Sequence, residues 1–134
     1  MAVDMEKLND FIGRFVGDLG TVVHAGMVVI GERLGFYKAL AAQPMTSAKL
    51  AAKTKTDERY VRGWLASQAA GDYVTYDKQT NKFSLSEEQA FALVNEDSPA
   101  YLPGAFQFAV GSLVAVLRIA DCFRAGRRDG LART

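Results

Sequence analysis

The chain reads as a mainly α-helical winged helix-turn-helix domain, with a small β-hairpin wing and extra helices at both ends. Two short helical patterns lie close together, residues 47–54 and 58–70, with only a brief turn between them. Two short alternating segments follow at once, residues 73–77 and 82–86, joined by four residues. Helix, turn, helix and hairpin in that order is the layout of a winged helix. Long apolar stretches at residues 8–34 and 105–124 flank this unit and have helical rather than strand periodicity.

The first segment is an amphipathic helix. Leu8, Phe11, Ile12, Phe15, Val16 and Leu19 form one apolar stripe, and Gly13, Gly17 and Gly20 form a second stripe of small residues. The small stripe suggests close approach of another helix, or else a loose helix. A separate helix is expected from Thr21 to Leu34, apolar nearly all round and therefore buried on more than one side. Gly35 breaks it, and Phe36 to Ala42 makes a short helix that Pro44 ends.

Thr46 then caps Ser47–Thr54, and Lys55-Thr56 makes the turn. Asp57 caps the next helix, on which Val61, Trp64 and Leu65 share a face, and Gly71 is expected to close it in a left-handed cap. Val74, Tyr76, Phe83 and Leu85 are the core-facing positions of the hairpin by alternation. Ser86 to Gln89 is a capping box that starts a helix through Val94. Ala105 to Arg124 reads as one long helix closed by Gly126. The domain so defined spans 1–126, its helix-turn-helix and wing about 44–86, and 127–134 reads as a flexible tail.

Composition narrows the function classes. The 134 residues suit a single domain, and 49% apolar with 23% charged residues is a globular balance. A net charge of +1 provides no global field toward nucleic acid or anionic lipid. The apolar stretches 21–31 and 104–117 are interrupted before the roughly 20 apolar residues of a bilayer span, so both read as buried helices, with no membrane partner. Cys122 is unpaired and reads as a buried small hydrophobe; with no secretory signal, a reducing cytoplasm is expected.

Catalytic machinery is not evident. His24 and Cys122 are far apart and form no metal-ligand cluster, and no Gly-x-Ser-x-Gly or Gly-x-Gly-x-x-Gly loop occurs. The acidic pairs Asp57/Glu58, Glu87/Glu88 and Glu96/Asp97 sit at helix starts or in a loop, where they complement helix dipoles. No catalytic residue, metal site or cofactor site is therefore assigned within the chain.

A DNA-binding reading rests on the segment from Lys38 to Lys82, which carries eight basic and four acidic residues, a surplus of four. Arg59 and Arg62 lie near the start of the second helix of the motif, where a recognition helix meets bases, and Lys78 and Lys82 fall on the wing. Asp57 and Glu58 at the tip of the same helix would face phosphates, and residues that commonly read base edges are scarce on it. Nucleic acid is accordingly not the expected partner.

The pieces Leu34-Gly35-Phe36-Tyr37-Lys38-Ala39-Leu40, Pro44-Met45-Thr46, Leu50-Ala51 and Tyr60-Val61-Arg62-Gly63-Trp64-Leu65 occur in an order that resembles a known family. Together with Gly71 and the hairpin, they resemble the N-terminal winged-helix domain of bacterial class I S-adenosylmethionine-dependent methyltransferases of O-methyltransferase type. The resemblance covers residues 20–126. Lys55 stands where that family usually has glycine in the turn, and a left-handed lysine there costs on the order of 1 kcal/mol.

The resemblance implies a homodimerisation and substrate-capping domain, with S-adenosylmethionine and a small-molecule methyl acceptor bound by a full-length parent. The catalytic domain that would follow is expected to be absent from this chain. His24, Met27, Phe106 and Phe108 are the candidate substrate-lining residues, because they lie on the apolar helices. The alternatives are a DNA-binding transcriptional regulator using Arg59, Arg62, Lys78 and Lys82, and a free-standing dimer that holds an apolar ligand between its long helices.

Overall fold

A computed structural model describes residues 2–97 and 102–126. Among these the order is α1 (Met5–Arg33), α2 (Phe36–Ala42), α3 (Ser47–Thr54), α4 (Glu58–Ala70), β1 (Thr75–Asp77), β2 (Lys82–Ser84), α5 (Glu87–Leu93), α6 (Pro103–Val114) and α7 (Val116–Ala125). This is the winged helix-turn-helix expected from the sequence, with its flanking helices. The expected tail at 127–134 lies outside the described residues.

The caps lie where the sequence placed them. The side chain of Thr46 accepts the Lys49 N–H, that of Asp57 accepts the Arg59 N–H, and Ser86 with Gln89 closes a full capping box. Lys55 adopts the left-handed conformation of the turn, with φ 56°. The left-handed residue after α4 is Asp72, φ 62°, rather than Gly71, φ −90°. Aspartate tolerates this region. The turn is held because the N–H groups of Tyr73 and Val74 both donate to the Gln68 carbonyl.

The wing is a two-stranded antiparallel ribbon with Tyr76 opposite Phe83. Met45 adds one further bridge, exchanging both backbone hydrogen bonds with Phe83 at 2.9 and 2.7 Å. That bridge ties the wing to the chain just before α3. Val74 is buried, but Tyr76 is exposed, contrary to expectation. Its ring packs instead on the cross-strand Phe83, with centroids 4.7 Å apart.

Both terminal regions differ from expectation in continuity. Residues 5–33 form one helix rather than two, because Thr21 does not cap a new helix. Its hydroxyl donates instead to the Gly17 carbonyl of the preceding turn, at 3.1 Å. Conversely, the expected single helix 105–124 is split at Ala115, and α6 and α7 meet at 60°. There the Ala115 N–H bonds Ser112 rather than Gly111, and the Ser112 hydroxyl bonds back to the Phe108 carbonyl.

The core gathers Val28, Phe36, Tyr37, Leu40, Met45, Leu50, Val61, Trp64, Leu65, Val74 and Leu93. Trp64 is its largest side chain, and the indole N–H donates to the Met27 carbonyl at 2.8 Å. Helix α1 crosses this ring at Gly31, where a β-carbon would lie 2.2 Å from Trp64 Cζ2. Glycine is therefore required at that crossing.

The apolar flanks are not buried within the chain. In α1 only Ala25, Val28 and Gly31 are buried, and α7 has no buried residue. Phe11, Phe15, Val23, Phe108, Leu117 and Phe123 are all exposed. Cys122 is half-buried, not enclosed. Because it is continuous, α1 is long and apolar enough to cross a membrane, at mean hydropathy 1.3 over its best window, which the interrupted-run reading did not anticipate. Among the described residues nothing lies within 4 Å of a β-carbon built on Gly13, Gly17 or Gly20, so none of the described helices packs closely on that stripe.

Candidate functional site

Two regions contain the residues singled out by sequence. The first is an aromatic cluster where α1, α6 and the α4–β1 turn meet. His24 of α1 is half-buried, edge-on to Tyr73 with centroids 4.4 Å apart and edge-on to Phe106 at 6.0 Å. Tyr73 and Phe106 are themselves 6.5 Å apart. Such edge-to-face packing suits aromatic quadrupoles, and it leaves a weakly polar, ring-lined patch.

Of the four expected lining residues, the fold brings His24 and Phe106 together. Met27 lies one turn along α1; it packs on the core, and its carbonyl holds Trp64. Phe108 is 79% exposed and belongs to the outer face of α6. Tyr73 was not singled out by sequence for this role. No sequence signal marked it, because Tyr73 lies in the turn between α4 and β1, ahead of the strand whose alternation would assign it a face.

Beneath the cluster lies a buried polar pair. The Tyr37 hydroxyl donates to Gln68 Oε1, and the other amide atom, Gln68 Nε2, has no hydrogen-bond partner among the described residues. Burial, and secondarily the neighbouring Tyr73, push the Tyr37 hydroxyl well above the ordinary tyrosine range. Tyr37 is thereby not poised as a base near neutrality. No group of three or more His, Cys, Asp or Glu able to hold a metal ion occurs among the described residues.

The second region is the exposed face of α4 with the wing. Arg59 and Arg62 are both exposed, and Lys78 and Lys82 lie on the hairpin. Acidic groups interleave with them. Arg62 Nε is 3.8 Å from Glu58 Oε1, an oxygen that also accepts the Ser47 hydroxyl at 2.9 Å. Asp77 pairs across the ribbon with Lys82. The rest of the exposed α4 surface is Tyr60, Gly63, Ala66, Ser67 and Ala70; apart from Tyr60 these are small side chains with little reach toward base edges.

The Rv2258c-like winged HTH domain family matches over residues 23–95, more than half of the chain. The chain belongs to that family. Its fold superposes on that of CalO1, a methyltransferase in calicheamicin biosynthesis solved in its SAH-bound form, with TM-score 0.60, 26% identity, and coverage of 77% of this chain and 29% of that one. The N,N-8-amino-8-demethyl-D-riboflavin dimethyltransferase RosA from Streptomyces davawensis shares the fold at TM-score 0.69 and 22% identity, over 98% of this chain and 37% of that one. PigF with SAH matches at TM-score 0.57 and 17% identity, covering 80% and 29%.

The chain thus spans between about a quarter and two fifths of these solved structures. It is a winged HTH domain resembling the N-terminal domain of S-adenosylmethionine-dependent methyltransferases. One curated sequence, the phosphoglucosamine mutase of Leuconostoc citreum (strain KM20), is 40% identical over 60 residues, which is 44% of this chain and 12% of that enzyme.

Proposed function

We propose that this domain is the dimerisation and substrate-capping part of an S-adenosylmethionine-dependent methyltransferase, acting on a small-molecule methyl acceptor and carrying no chemistry alone. The observation behind this reading is the contrast between a complete winged-helix core and the uncovered apolar faces of α1, α6 and α7 on a family fold shared with SAH-bound enzymes. Large exposed apolar faces are rare on monomers. A symmetric pairing of α1 with α1 and α6–α7 of a second copy would cover them, and the bare Gly13, Gly17 and Gly20 stripe would permit close helix approach.

In this reading S-adenosylmethionine binds the catalytic portion of the parent enzyme, in the cytoplasm. His24, Tyr73 and Phe106 then roof the acceptor with aromatic surface, and Met27 and the exposed Phe108 stand on the helices beside them. The interleaved acidic groups on α4 weigh against a DNA regulator.

Sedimentation velocity at micromolar concentration tests the dimer. The wild-type chain should sediment as a dimer. Phe15→Asp, at an exposed position of α1, should give a folded monomer. A wild-type chain that stays monomeric without aggregating would overturn the reading.

A further inference from the structure

Between the end of α1, the start of α2 and the first turn of α4 lies a recess of about 170 Å³ that neither the aromatic trio nor the basic face uses. Phe36 and Trp64, 3% and 2% exposed, form its inner wall, while Ile30, Leu34 and Tyr60 stand exposed around its mouth. An apolar cavity of about 150 Å³ in another protein is known to accept benzene, so the space suits one aromatic ring. The two inner rings, with centroids 4.9 Å apart and tilted by 60°, form the floor of the recess, and the exposed Ile30, Leu34 and Tyr60 supply most of the apolar surface that a bound ring would meet.

The recess also has a charge at its edge. Asp57 lines it, and only one of its carboxylate oxygens is engaged: Oδ1 accepts the Arg59 N–H at 2.9 Å, while Oδ2 has no partner among the described residues. Tyr60 lies one helical turn further on, so its ring flanks the same end of the recess. The neighbouring carboxylate, Glu58, is already shared between Ser47 and Arg62. An aromatic interior with one half-used carboxylate and an aromatic rim complements a cation attached to a ring, through a charge-assisted hydrogen bond and a cation–π contact.

We propose that this recess binds a primary amine bearing a single aromatic ring, with the ring held between Ile30, Leu34 and Tyr60 above Phe36 and Trp64, and the ammonium on Asp57. Neutral or acidic analogues of the same shape are disfavoured, because they leave the carboxylate unmatched or repelled.

Trp64 is the sole tryptophan, so its selectively excited emission reports the site directly. The probe is phenethylamine, and 2-phenylethanol is its neutral counterpart. Phenethylamine should shift the emission saturably below about 10 mM, and 2-phenylethanol should bind more weakly. Asp57→Asn keeps the helix cap, since asparagine caps as well as aspartate. It should weaken phenethylamine binding about tenfold, the scale of one lost charge-assisted hydrogen bond, and leave 2-phenylethanol unchanged. Tyr60→Ala, at an exposed position, should weaken the amine several-fold. The absence of saturable binding to wild type, or an amine affinity unchanged in both variants, would overturn the proposal. These measurements need neither the dimer nor S-adenosylmethionine, so their outcome is separate from that of the methyltransferase reading.

Discussion

Gly31→Ala tests the close crossing of α1 over Trp64. In an open helix the change should stabilise by up to about 1 kcal/mol, because alanine is the better helix former. Here the new β-carbon would lie 2.2 Å from Trp64 Cζ2, 2.9 Å from Tyr37 Cε2 and 3.0 Å from Trp64 Cε2. The indole is rigid, 2% exposed and tied to the Met27 carbonyl, so it can yield only by giving up that hydrogen bond. Overpacking of this kind costs about 1–3 kcal/mol, and a broken indole hydrogen bond adds about 1 kcal/mol. After the propensity gain is subtracted, the net loss should be about 2 kcal/mol, a shift of more than tenfold in the folded-to-unfolded ratio. Urea denaturation followed by Trp64 emission, at fixed protein concentration, measures it. Gly17→Ala is the control: nothing lies within 4 Å of its new methyl, so an isolated chain should gain stability. A Gly31→Ala chain as stable as wild type would refute the crossing as described.

Tyr37→Phe removes the partner of Gln68 Oε1 and should cost about 1–3 kcal/mol near pH 8. Because burial raises the folded-state value of Tyr37 above the ordinary 10.0, its stabilisation is complete below that pH and lost as the unfolded chain ionises above it. The gap between wild type and variant should therefore shrink from about pH 10 upward, and a constant gap would contradict the assignment. Isothermal titration of the chain with S-adenosylmethionine should show no binding in the micromolar range, since no glycine-rich strand-to-helix loop is present in the sequence. Fluorescence anisotropy with promoter and random DNA at moderate salt should show no specific binding tighter than about 10⁻⁷ M; tighter specific binding would favour the regulator.

The sequence alone determined the features that local chemistry controls. Thr46, Asp57 and Ser86 each satisfy helix N–H groups within a few residues, so the caps and the helix-turn-helix between them could be placed without tertiary information. Val61, Trp64 and Leu65 share a helix face by periodicity alone, and that face proved to be the core. Several features depended on which elements meet in space. Gly31 matters because an indole from α4 lies against it, whereas the glycine stripe that looked significant in the sequence has no close neighbour among the described residues. His24 and Phe106 meet Tyr73 because the Asp72 turn swings the chain after α4 back toward α1, a direction that no local pattern encodes. Continuity at Thr21 and the bend at Ala115 were decided by which carbonyl each donor found. The same limit applies to burial: an apolar helix declares that it needs cover, but only the packed chain shows that α1 and α7 obtain so little of it from their own domain.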